Sequence, residues 1–114
     1  MVDATPAPAV TPAPPYVAVI FTSVQVSCDP PGYAAAAAAM EQLASEQPGY
    51  LGFESARTAG GAGISVSYWC DEDAARAWKR VADHLVVQRL GRERWYRDYR
   101  VRVAIVTREY GPVR

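Results

Sequence analysis

Residues 67–84 read SYWCDEDAARAWKRVADH, and within them one periodicity gives way to another. The segment leading in, ISVSYWC at 64–70, is rich in β-branched and aromatic residues and reads as a strand, on which Tyr68 and Trp69 point to opposite faces. Asp71 then offers a side-chain acceptor to the open amides of a helix N-terminus, and Glu72 and Asp73 put negative charge in the first turn. From there helical spacing takes over: Trp78, Val81, Ala82 and Leu85 share one face, with His84 on its flank near Ala77 and Gln88. A strand runs directly into an amphipathic helix.

Working outward, YLGFESAR (50–57) and the strand at 64–70 flank the glycine-rich TAGGAG, which predicts a hairpin. YVAVIFTSVQV (16–26) reads as another strand, with Val17, Val19 and Phe21 on one side and Ala18 and Ile20 on the other, so both of its faces are expected to be covered. After the breaker SCDPPG, alanine-rich residues 33–47 carry the stripe Tyr33, Ala36, Met40, Leu43, Ala44 of a helix that PGY ends. Downstream, the second helix runs from about 72 to the low eighties and continues or restarts through HLVVQRLGRERWY, with Gly91 as a break. The last strand is YRVRVAIVTREY (99–110), alternating Val101, Val103 and Ile105 against Arg100 and Arg102.

The order β-α-β-β-α-β predicts a ferredoxin-like α+β fold, an antiparallel four-stranded sheet with both helices on one face. Apolar residues on the other face need a cover, and a second copy packed sheet to sheet supplies one, so a homodimer is expected.

Composition narrows the function classes. A chain of 114 residues, half of them apolar, can bury a single core. Residues 1–15 hold five of the nine prolines and read as a flexible Pro/Ala-rich tail, with the domain at 16–114. No run approaches the roughly 20 apolar residues of a membrane helix, and no secretory pattern opens the chain, so Cys28 and Cys70 read as free thiols of a cytoplasmic protein. Zero formal net charge argues against nucleic-acid binding. The balance is uneven, however: residues 1–75 carry a net minus seven and residues 76–114 a net plus seven. That is either a solvated surface that pairs with itself or a face for an anionic ligand.

Four segments, YVAVIFTS, EQPGYLGFESAR, GISVSYWCDEDAARAWK and GRERWYRDYRVRVAIVTREYG, occur in the order found in antibiotic biosynthesis monooxygenase domains, and between Tyr16 and Tyr110 the chain resembles that family. The resemblance implies a dimeric α+β barrel. It also implies one of three activities: cofactor-independent oxygenation of a small aromatic or polyketide-like molecule by O2, haem binding or degradation, or non-catalytic small-ligand binding. In the family a tryptophan closes the third strand, matching Trp69, and a tryptophan or histidine follows nine positions later, matching Trp78. In the cofactor-free enzymes the residue at the Trp78 position is implicated in the pocket with an asparagine on the preceding strand, and this chain has no asparagine. Haem-degrading members place an axial histidine ten positions after the helix tryptophan. Gln88 stands there, and His84 comes only six positions after Trp78.

Trp78 is first a core residue by its stripe, and the resemblance adds a pocket role. Trp69, at the strand end, reads as packing. His84 is the one side chain whose ordinary pKa lies near neutrality, which suits a general base, although on a helix flank it is equally a half-exposed bystander. Cys70, before a helix N-terminus, stands where a thiol pKa can fall. Small Ala36 leaves room for a hollow bounded by Tyr33, Met40 and Trp78. With Trp78 and His84 as catalytic candidates, the substrate contacts are expected from Tyr33, Met40, Tyr68, Trp69 and Tyr96, with no cofactor or metal, or with haem on His84 in the alternative.

Overall fold

Asp71 is a helix cap: its Oδ1 accepts the Ala74 amide at 2.8 Å, satisfying one of the donors that a helix N-terminus leaves open. The computed structural model describes residues 7–25, 30–85 and 96–112; for residues 30–37, 85, 96 and 97 it describes the backbone alone. The elements are β1 (Tyr16–Gln25), α1 (Pro30–Ser45), β2 (Tyr50–Arg57), β3 (Ala62–Trp69), α2 (Glu72–Leu85) and β4 (Tyr96–Val106), in the expected order. The strands form one antiparallel sheet in the order β2-β3-β1-β4, the ferredoxin-like arrangement.

Three elements differ in their bounds from the sequence reading, each for a physical reason. α1 starts at Pro30 rather than 33, because a proline in the first turn forfeits no helical hydrogen bond. β4 starts at Tyr96, which still pairs with Gln25, and stops at Val106, because β1 offers no partner beyond Tyr16. β3 gains Ala62 and Gly63 by closing the hairpin: the Thr58 amide donates to Ala62 O at 2.8 Å, and Gly61 takes the turn at a φ of 98°, which favours glycine. Val26, Cys28, Gln88, Gly91 and the expected continuation of the second helix lie outside the described residues.

Register assigns every strand residue to a face. Val17 pairs with Trp69 and Ile105, and Val19 with Ser67 and Val103. This side meets the helices, since Val17, Val19 and Trp69 form one buried cluster with Ala44 of α1 and Ala75 and Trp78 of α2. The opposite side carries Tyr16, Ala18, Ile20 and Thr22 of β1, with Ile64, Val66 and Tyr68 of β3, Gly52 and Glu54 of β2, and Arg100 and Arg102 of β4. Tyr16 and Ala18 are buried there. Part of their cover is the chain's own N-terminal segment: the Ala9 amide donates to Glu54 at 3.0 Å, and Thr11 lies beside Tyr16.

Candidate functional site

The helix side of the sheet has an indole-rich end and an end floored by serines and glycine. At the indole-rich end Trp69 is fully buried and Trp78 is 4% exposed. Their rings stack with centroids 5.6 Å apart and planes 23° apart, and Tyr50 meets Trp69 edge-on at 5.8 Å. An indole N–H buried without an acceptor is costly, and here Trp69 Nε1 donates to Ser67 Oγ at 2.8 Å. Met40, Leu43, Val81 and Ala82 pack around this nucleus. The strand and the helix meet because Gly49, at a φ of 84°, lets the chain pass close under α2: a Cβ there would come within 2.6 Å of the Ala74 Cβ.

Toward the other end the floor becomes small and hydroxylated. β3 presents Ser67, Ser65 and Gly63 in succession on this face, and β1 presents Phe21 and Ser23. Arg57 closes that end: Nη1 donates to Gly61 O at 2.6 Å and Nη2 to Ser23 Oγ at 2.8 Å. Its guanidinium occupies the space a Cβ on Gly63 would need. Phe21 and Tyr99 pack at 5.5 Å beside it.

Of the residues singled out from the sequence, the structure brings Trp69, Trp78 and Met40 together. Tyr68 stands on the opposite face, where its hydroxyl donates to Glu54 and burial, followed by that carboxylate, raises its pKa well above the usual tyrosine range. His84 is exposed near the end of α2, six residues beyond Trp78 and so about 120° away around the helix. The side chains of Tyr33, Ala36 and Tyr96 lie outside the described residues. For Cys70 the helix N-terminus does not prevail: desolvation first, then the neighbouring Asp71, raises its thiol pKa. The sequence reading missed Ser67 and Ser65, although period-two alternation places both on the face of Trp69. It also missed Arg57, the one base among the first 75 residues.

The profile of the antibiotic biosynthesis monooxygenase family matches residues 31–90, more than half of the chain. The chain belongs to that family. Among relatives of this monooxygenase-family protein, an uncharacterized Bacillus subtilis protein, YqjZ, is 50% identical over 99 residues, covering 87% of this chain and 86% of its own. Solved structures share the fold at low identity. SnoaB, a cofactor-independent oxygenase from Streptomyces nogalater, superposes with a TM-score of 0.68 at 14% identity, covering 86% of this chain and 98% of SnoaB. A haem-degrading protein from Mycobacterium tuberculosis superposes with a TM-score of 0.57 at 17% identity, covering 85% of this chain and 98% of the other. The same fold thus occurs in a cofactor-independent oxygenase and in a haem-degrading protein. Among the described residues no helix is long and apolar enough to cross a membrane, and no group of metal-binding side chains occurs.

Proposed function

We propose that this chain is a cytoplasmic, cofactor-independent oxygenase that holds a small aromatic or polyketide-like molecule between its helices and the sheet. The observation that carries the reading is the change of texture along the helix side, from a stacked indole pair to a small floor bearing the Ser67 and Ser65 hydroxyls. An apolar wall with a few placed polar groups is the usual character of a small-molecule site. An electron-rich phenol or enol, once deprotonated, passes an electron to O2 without any prosthetic group. The protein's task is then to position the anion and exclude water. In this reading Trp78 forms the wall, serine hydroxyls donate to the anion, and His84, exposed near the far end of α2, takes the proton as the substrate enters.

The same reading includes a homodimer packed through the open sheet faces. Ile64 is 49% exposed on that face, and Ile20 and Val66 beside it are only partly covered. Arg102, Ile20, Val66 and Glu54 form one row across the four strands, positive at one edge and negative at the other. A twofold axis along the strands sets each arginine over the partner's glutamate.

Oxygen uptake with electron-rich phenols tests the activity. Trp78→Phe and His84→Ala are expected to slow turnover at least tenfold, and rates equal to wild type in both would remove the site assignment. Haem titration separates the alternative: no saturable Soret shift is expected, whereas a shift that disappears in His84→Ala would replace the oxygenase reading.

A further inference from the structure

The N-terminal segment lies on the face that the dimer reading assigns to a second copy. Glu54 is its main anchor, accepting the Ala9 amide at 3.0 Å on Oε2 and the Tyr68 hydroxyl on Oε1. The second anchor lies across the sheet, where the Tyr16 hydroxyl donates to Glu109 Oε2 at 2.7 Å and the Thr11 hydroxyl sits 3.0 Å from both oxygens. Between the anchors the fit is close: a Cβ on Gly52 would lie 3.3 Å from the Ala9 Cβ and 3.8 Å from Thr11 Cγ2. The segment therefore crosses the end of the face that holds Gly52, Tyr68 and Ala18, and at the other end Ile64 is half exposed and Ile20 and Val66 are only partly covered.

Two sheets packed face to face stand about 10 Å apart with interdigitated side chains, and a polypeptide lying on one sheet fills that gap. A second sheet cannot lie flush where the segment is docked. The electrostatics point the same way, because the carboxylate that holds the Ala9 amide belongs to the row that ends in Arg102. We infer that residues 7–15 and a second copy of this chain compete for the open sheet face, with Glu54 as the shared contact: docked, the segment holds Glu54 through the Ala9 amide, and on dimerisation that carboxylate turns to the partner's Arg102. This inference rests on the proposed dimer. It adds that the proline-rich segment sets how tightly the dimer forms.

Variants in the segment alone test this in the full chain without altering the sheet. Ala9→Pro removes the amide that Glu54 accepts, in a context already alternating alanine and proline, and Thr11→Val removes the second anchor. Sedimentation equilibrium of the double variant is expected to show a dimer dissociation constant about tenfold lower than that of wild type. Ala9 amide exchange, followed by NMR across the wild-type association range, is expected to speed up as dimer accumulates. A dimer of unchanged or weaker affinity, or Ala9 protection that persists in the dimer, overturns the competition while leaving the dimer reading intact. Monomer at every concentration in both proteins overturns both.

Discussion

Tyr68 and Trp69 are neighbours on β3 and end in opposite environments. On the helix side the Trp69 indole is sealed among apolar groups and its one donor is met by a neutral hydroxyl, Ser67. On the open side the Tyr68 hydroxyl meets a carboxylate, Glu54, that is also held by a backbone amide 45 residues away in sequence. The contrast assigns the two faces different work. Around Trp69 the helix side is apolar and sealed, a medium in which fixed dipoles act strongly, while the Arg57 guanidinium lies at the far end against Gly61 O and Ser23 Oγ. The open side carries charge and holds the chain's own Ala9 and Thr11.

The largest losses are expected on the helix side. Trp69→Ala removes the largest fully buried side chain among the described residues and leaves a cavity beneath Trp78, so a loss of about 3–5 kcal/mol is expected in urea unfolding. Ser67→Ala is smaller and more pointed: it strands the buried Trp69 Nε1, which costs about 1–3 kcal/mol, and Ser67→Thr, which keeps the hydroxyl, is expected to recover part of it. On the open face the smallest effect is one of pH. Glu54 is held below the usual carboxylate range, first by the Ala9 amide and then by the Tyr68 hydroxyl. A carboxyl with a depressed folded pKa contributes stability that is fully present above its ordinary value of 4.5 and is lost as pH falls through the lower folded value. Urea midpoints measured from pH 7 into this acid window are expected to fall less steeply in Glu54→Gln and in Tyr68→Phe than in wild type.

Much of the helix side could be read from spacing. The switch from alternation to helical period at Asp71 placed β3 and α2, and the stripe containing Trp78 set it in the core. Local signals of this kind report which face a side chain occupies. They do not report which distant chain arrives there. The links from Ala9 to Glu54 and from Tyr16 to Glu109, which span 45 and 93 residues, left no local trace. The segment that makes the first of them reads by composition as a tail, because prolines carry no amide hydrogen and alanines little surface. His84 illustrates the converse: wheel geometry put it on a flank, and the structure shows that flank exposed.

β4 is one of the two edge strands, eleven residues long, with Tyr99, Val103 and Ile105 each about half exposed. So long and greasy a border is a template onto which stray chains can anneal. Arg100 and Arg102, turned the other way, give that border a repulsive charge that keeps identical borders apart. Ionic strength near 0.1 M shortens the reach of such repulsion to about 10 Å, so the safeguard against aggregation is weakest in concentrated salt.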